Sequence, residues 1–230
     1  MRHHGDMRRE VWIAAAAIAG MALAAGIGGA AASCAPACDC EMIGSGAIAQ
    51  PANAWTALAI VAAGVWVSVR LPVLGALIAL VGASAFAAHA TVADWAYRAE
   101  GAVLAGAAWS AALGARPRSL VAGLAAAGLA WLLPDPGAIV AAGAAVAVFL
   151  FSPAVRAIPA RFGLPALGLL GGGLAVRWLG DDGGPWCRPA GWLPGHAVWH
   201  LAAAAGLLIL AGGLAGRAAP ASPEGVIPVS

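Results

Sequence analysis

Three histidines lie in or beside apolar stretches of the chain, where ionisable side chains are costly. His196 and His200 are four residues apart in GHAVWHL, a spacing that places both imidazoles on one face of a helix, one turn apart. His89 is distant in sequence but borders another apolar stretch. Three neutral imidazoles with an open fourth position are typical of a catalytic zinc site. The alternative is that each histidine packs among polar groups or helix ends without a metal.

Zinc is the favoured metal for this histidine set, because no cysteine or methionine is placed with it and metals that prefer softer ligands are less suited. Haem is a weaker interpretation, since His196 and His200 share a face whereas bis-histidine ligation needs two opposed helices. Two acids follow His89 in the sequence, Asp94 and Glu100. Either could orient or deprotonate a water molecule at such a site, and the alternative role of both is to solvate a loop.

The composition sets the environment in which these residues act. The chain has 230 residues, of which 62% are hydrophobic and 10% charged, so a soluble domain with one buried core is excluded. Alanine and glycine dominate the apolar stretches, and small residues favour close helix packing in lipid. All twelve basic residues are arginine and none cluster as a phosphate-binding patch would, which excludes nucleic acid as a partner.

Eight apolar segments approach the length of about 20 residues that a membrane span requires. They are Val11–Ala32, Ala52–Val69, Val73–Ala90, Gly101–Ala115, Leu120–Leu133, Gly137–Phe151, Leu164–Val176 and Gly195–Gly216. With the N-terminus inside, nine of the twelve arginines fall in inner loops, as the positive-inside rule requires. The fold class predicted is therefore all-α: a polytopic membrane bundle with a seven-helix core and one extra N-terminal apolar segment.

This first segment has two interpretations. It follows a basic head and ends in small residues, so it is either a retained span or a cleaved secretory signal. The predicted organisation is a basic head with the apolar segment at 1–33, an outer cysteine-rich loop at 34–51, a membrane domain at 52–216 and a disordered inner tail at 217–230. Both interpretations place the three histidines near the outer face of the membrane and the C-terminus inside.

The four cysteines, Cys34, Cys38, Cys40 and Cys187, all fall in outer loops under this topology. Disulfides persist in an oxidising compartment, and a bridge from the first outer loop to Cys187 would clamp the entry of the helix that carries His196. A cysteine-ligated metal in the crowded CAPACDC is the alternative, although the spacing matches no standard zinc knuckle.

Three blocks of the sequence resemble the alkaline ceramidase family, within the seven-helix membrane hydrolases that also include the progestin and adipoQ receptors. The blocks are CEMIGSGAIAQPANAWTALA from Cys40, FAAHATVADWAYRAEG around His89 and CRPAGWLPGHAVWHL from Cys187. The resemblance spans about Cys40 to Gly216. It implies that His89, His196 and His200 bind a catalytic Zn, that Glu100 stands at the family's acidic position, and that Cys40 pairs with Cys187.

The chain departs from the family pattern at two places. The family has a serine four residues before its first histidine, where this chain has Ala85; Ser84 is about 140° round the helix from His89 and is retained as a candidate catalytic helper. Glu41 and Asn53 match the family's calcium-binding residues, but Gln50 replaces an acid, which argues against calcium regulation.

The expected function is zinc-dependent intramembrane hydrolysis of a lipid amide, ceramide or a related N-acyl lipid, which releases a fatty acid and an amine such as a sphingoid base. The substrate comes from the bilayer, and the enzyme is a multi-pass protein of the plasma (inner) membrane with its active site toward the outer face. Two alternatives stay open. One is a non-catalytic lipid-binding or receptor-like protein with structural zinc, and the other is a small transporter, which usually shows internal repeats that are not found here.

Overall fold

The computed structural model describes residues 37–115, 119–132, 143–144 and 146–218. The predicted N-terminal segment Val11–Ala32, Cys34 and most of the predicted tail lie outside the described residues, as does part of the segment Gly137–Phe151. Within the described part the fold is helical apart from one short hairpin. The predicted all-α class is confirmed.

Seven helices with defined bounds occur in the described residues. They are α1 (Pro51–Ser68), α2 (Pro72–Thr91), α3 (Asp94–Ala112), α4 (Ser119–Leu132), α5 (Pro153–Arg156), α6 (Ala160–Gly180) and α7 (Gly195–Ala218). Residues 146–150 are also helical. Strands β1 (Ala37–Cys38) and β2 (Glu41–Met42) pair in antiparallel register before α1.

Four of the described helices are long and apolar enough to cross a membrane: α1, α2, α6 and α7. In α7 the candidate span is Gly195–Gly216. Helix α4 is apolar but shorter. Large hydrophobic side chains such as Leu124, Leu164 and Trp178 are exposed on the outside of the bundle, as expected where lipid rather than water is the solvent. The chain is therefore a membrane protein, and the seven-helix membrane core stays a prediction.

Two helices extend beyond the predicted apolar segments. Helix α3 begins at Asp94 rather than Gly101, because the backbone turns at Val92 (φ 50°) and then resumes helical geometry through a polar stretch. Helix α6 continues to Gly180 past Arg177, at which the apolar pattern stops. Apolar composition identified the membrane-compatible part of each helix, whereas backbone hydrogen bonding continues through polar residues. Glu100 consequently lies inside α3 and not at its start.

Close contacts between α1 and α2 fix the framework of the site. Gly64 and Gly75 face the partner helix so closely that a Cβ atom on either would overlap backbone atoms, and a Cβ on Gly82 would lie 2.6 Å from the Val61 nitrogen. Glycine is needed where backbones approach in this way. Helix α7 packs on α1 as well, around an apolar core that includes Ile60 and Ala203. Helix α1 therefore supports both histidine-bearing helices, α2 and α7.

Candidate metal centre

His89, His196 and His200 form one buried cluster. His89 lies in the last turn of α2 and the other two lie in the first two turns of α7, and all three are at most 2% exposed. One ligand atom from each lies within 4.8 Å of the others, so the group could hold a metal ion. The topology-based prediction that brings His89 close to His196 and His200 thus agrees with the fold, and their depth in the membrane stays a prediction.

The outer nitrogens of His89 and His200 face oxygen atoms that accept hydrogen bonds, including the Thr56 hydroxyl oxygen 3.2 Å from His200 Nδ1, whose own hydrogen is directed to the Ala52 carbonyl. His89 Nδ1 lies 2.8 Å from Gln50 Oε1, and the Gln50 Nε2 donates to the Glu41 carbonyl at 3.2 Å, which fixes the orientation of the amide. His200 Nδ1 lies 3.0 Å from the Asn53 carbonyl oxygen. Each Nδ1 therefore carries the hydrogen and donates it, which leaves the Nε2 lone pair for a metal.

His196 is oriented in the same sense by a carboxylate. Its Nδ1 lies 3.1 Å from Asp39 Oδ1 and 3.7 Å from Asp181 Oδ1, while its Nε2 lies 3.2 Å from the Nε2 of His89. Ligand histidines in metalloproteins usually present their second nitrogen to a carboxylate or carbonyl in this way. All three histidines thus have an acceptor facing Nδ1.

The separation of the inner nitrogens fits a tetrahedral ion. With Zn–N bonds of about 2.0 Å, two ligands of a tetrahedral site lie about 3.3 Å apart. The two Nε2 atoms of His89 and His196 are 3.2 Å apart. Two bare lone pairs at this distance repel each other, so a metal ion or a proton must lie between them. The donor set therefore fits Zn²⁺.

The segment that precedes α1 positions the groups that accept hydrogen bonds from the histidines. Both carboxylate oxygens of Glu41 accept hydrogen bonds from α1, from the Ala52 amide at 2.7 Å and the Asn53 amide at 2.8 Å. A carboxylate at a helix N-terminus also interacts favourably with the helix dipole. The backbone N–H of Gln50 donates to the backbone carbonyl of His89 at 3.0 Å. This hydrogen bond connects the start of α1 to the end of α2.

These contacts bear on the calcium-like interpretation of Glu41 and Asn53. Glu41 has a structural role as the cap of α1. The side-chain amide of Asn53 is buried and has no hydrogen-bond partner among the described residues. The expectation against calcium regulation stays a prediction, and the capping contacts explain why glutamate stands at position 41 without calcium.

A disulfide holds Asp39 beside the histidines. Cys40 is bonded to Cys187 across 147 residues of sequence, the pair that the family resemblance implies. Asp39 and Cys40 have left-handed backbone angles (φ 46° and 56°), a conformation that residues other than glycine rarely adopt. The Cys40 amide also donates to Asp182 Oδ1 at 2.8 Å. The hairpin is thereby fastened to the loop that precedes α7.

The environment keeps Asp39 ionised. Burial raises the pKa of this carboxyl, but attraction to His196, and then to His89 and Arg177, outweighs burial and leaves the pKa well below its usual range. Tyr97 donates a hydrogen bond to Asp39 Oδ2 at 3.1 Å. Asp39 is therefore an acceptor that faces the Nδ1 side of His196 at neutral pH.

The two predicted catalytic residues have different surroundings. Glu100 is partly buried on α3 and interacts electrostatically with His196 and Asp39, so it lies near the histidine cluster. Ser84 is buried, and its hydroxyl donates to the Val81 carbonyl in its own helix at 2.9 Å. Glu100 thus interacts electrostatically with the cluster, whereas the Ser84 hydroxyl is engaged by the backbone.

The sequence interpretation missed the groups that orient the histidines: Asp39, the Gln50 side chain and the Asn53 carbonyl. Asp39 had one usable signal, because it precedes Cys40, and a bridge to Cys187 brings it to the loop before His196. Gln50 and Asn53 act from the turn that opens α1, a short segment in which hydrophobic periodicity carries no information.

No protein-family model, curated protein or solved structure matches the chain. Its function is therefore inferred from the geometry of the histidine cluster and from the local resemblance of the three sequence blocks.

Replacement of Gln50 by leucine should weaken zinc binding about 10- to 100-fold, because His89 loses the acceptor that fixes its ring and tautomer. Gln50→Glu is the matched control, since it keeps an oxygen acceptor at the same place, and it should retain most of the affinity. Competition with a chromophoric chelator measures both values, with helix content compared by circular dichroism. Equal affinity of Gln50→Leu and wild type would show that Gln50 does not position His89.

Proposed function

We propose that this chain is a multi-pass membrane zinc hydrolase that cleaves the amide bond of an N-acyl lipid, ceramide or a close relative. The observation that carries the proposal is the convergence of three buried imidazoles, each with an acceptor facing its Nδ1 atom. Three histidine ligands with an open position are the arrangement of catalytic rather than structural zinc sites. The resemblance to the alkaline ceramidases supports the choice of substrate.

The depth of the cluster supports a lipid substrate. The histidines lie at the end of α2 and the start of α7, and exposed tryptophans occur at the same end of the bundle: Trp95, Trp178, Trp186 and Trp192. Exposed tryptophans are enriched at membrane–water interfaces. An N-acyl lipid holds its amide at this depth, between headgroup and acyl chain. In the proposed topology this is the outer face of the plasma (inner) membrane, within a seven-helix core.

Each side chain has a role in the proposed reaction. Zinc, when bound, would polarise the amide carbonyl and lower the pKa of the attacking water. His89, His196 and His200 would hold the ion through their Nε2 atoms, and Gln50, Asn53 and Asp39 fix the orientation of those rings. Glu100 accepts the proton of the water and returns it to the leaving amine, as a general base and then a general acid.

A second candidate function is favoured by one observation. The Ser84 hydroxyl is engaged by the Val81 carbonyl, and the family's serine position holds Ala85, so no serine hydroxyl is supplied at the place where the family has one. A lipid-binding or receptor-like protein with structural zinc would tolerate this loss. In the hydrolase, the metal itself would have to stabilise the oxyanion.

A direct assay separates these functions. Zinc-loaded protein in detergent should release free fatty acid from a ceramide or a related N-acyl lipid, measured by mass spectrometry, and His89→Ala should not. Metal-depleted wild type is the second control, and activity should return when zinc is added. Zinc-loaded protein that binds N-acyl lipids but releases no fatty acid from any of them would contradict the hydrolase proposal and support the receptor-like one.

A further inference from the structure

A second group of ligand atoms lies on the other side of His196. One ligand atom from each of Asp39, Asp181 and His196 lies within 4.8 Å of the others. His196 is buried, whereas the side chains of Asp39 and Asp181 are 17% and 32% exposed, so the group is partly accessible to solvent. We propose that Asp39, Asp181 and His196 Nδ1 form a second divalent cation site, bridged to the first through the His196 ring.

Two of these atoms have no other partner among the described residues. His196 Nδ1 and Asp181 Oδ1 are buried atoms without a hydrogen bond, although Nδ1 lies within ion-pair distance of both carboxylates. A buried unpaired polar atom is costly, and two that face the same small volume are explained if an ion lies between them. The orphaned atoms therefore point to a ligand that is not part of the chain.

The second oxygen of each carboxylate is directed elsewhere. Arg177 Nε lies 3.5 Å from Asp181 Oδ2, and the Tyr97 hydroxyl donates to Asp39 Oδ2. Both Oδ1 atoms are left on the His196 side. The 3.1 Å and 3.7 Å separations from Nδ1 are close to the ligand spacing of about 3.0 Å expected in an octahedral site with bonds of about 2.1 Å.

The donor set indicates the class of ion. Two carboxylates and one imidazole suit Mn²⁺, Mg²⁺ or a second Zn²⁺ more than Cu⁺. The positive charge of Arg177 opposes a cation here, but Asp182, whose Oδ1 accepts from the Cys40 amide, adds negative charge nearby. When both nitrogens of His196 bind metal, its ring proton is released to solvent. This second site goes beyond the proposed reaction. It depends on the proposed function only in that zinc binds the Nε2 atom of His196.

Manganese binding to protein that carries one zinc ion per chain tests the second site, because excess zinc would occupy both sites. Equilibrium titration followed by electron paramagnetic resonance should show one bound Mn²⁺ per chain in wild type, and none at the same concentrations in Asp181→Asn. Asp94→Asn removes an aspartate outside the group and should bind Mn²⁺ as wild type does. Absence of bound Mn²⁺ in wild type, or equal binding by Asp181→Asn, overturns the proposal and leaves Asp39 as an orienting group for His196.

A second measurement needs no variant. If Co²⁺ replaces Zn²⁺ at the three histidines, this paramagnetic neighbour should broaden the Mn²⁺ signal, because one imidazole separates the two ions. An unchanged signal would place Mn²⁺ away from His196 and overturn the proposal. Failure of the histidines to bind zinc or cobalt is a separate outcome, and it contradicts the proposed function. In that case Mn²⁺ binding to the metal-free protein would be compared between wild type and Asp181→Asn.

Discussion

Replacement of both His196 and His200 by alanine should reduce the zinc content of the purified protein from about one ion per chain to background. The double variant leaves a single imidazole of the three, and one neutral ligand cannot hold Zn²⁺ against water. Both residues are buried at the start of α7, so helix content and detergent-sizing profiles must be compared with wild type. Elemental analysis after dialysis gives the stoichiometry.

The matched control for this variant removes two histidines elsewhere. His3 and His4 lie in the polar N-terminal head of the sequence, and alanine at both should leave the zinc content unchanged. Zinc that persists in His196→Ala/His200→Ala but falls in His3→Ala/His4→Ala would place the metal in the head and reject the buried cluster.

Replacement of Glu100 by glutamine should lower the turnover of an N-acyl lipid about 100-fold or more while the zinc content stays at the wild-type value. Glutamine keeps the size of the side chain but cannot take up a proton, and loss of a general acid–base residue typically costs this much. Glu100 interacts electrostatically with His196, so zinc affinity must be measured beside turnover. A loss of turnover with intact zinc binding separates a proton-transfer role from a structural one.

Asp94→Asn is the control on the same helix, since Asp94 is exposed in the first turn of α3 and its replacement should leave turnover unchanged. If Glu100→Gln retains the wild-type rate, Glu100 is not the proton carrier. If neither variant nor wild type has measurable turnover although zinc is bound, the receptor-like function is favoured.

The sequence allowed the metal ligands of the candidate site to be predicted, because helical geometry alone relates His196 to His200. Their proximity to His89 required only that α2 end and α7 begin on the same face of the membrane. The cysteine pair followed from resemblance, and the structure joins the same two residues. The histidine set depends on local periodicity and on topology, both of which are visible in a single sequence, whereas the cysteine pairing required the family resemblance.

The orienting groups could not be predicted in the same way. Asp39 reaches His196 only because a left-handed turn and a disulfide place it there, and Asn53 contributes a backbone carbonyl, which every residue type has. The start of α3 was misplaced for a related reason, since Asp94 and Glu100 interrupt the apolar pattern but not the helix. Irregular segments and polar helix ends take their structure from tertiary contacts.

X-ray absorption spectroscopy at the zinc edge, on detergent-purified, zinc-loaded wild-type protein, tests the metal centre most directly. We expect about four nitrogen or oxygen ligands at about 2.0 to 2.1 Å, with the multiple-scattering pattern of imidazole and no sulfur ligand. A sulfur ligand at about 2.3 Å would place the metal at cysteines instead. Protein that binds no zinc after reconstitution would contradict the assignment of His89, His196 and His200 as a metal centre.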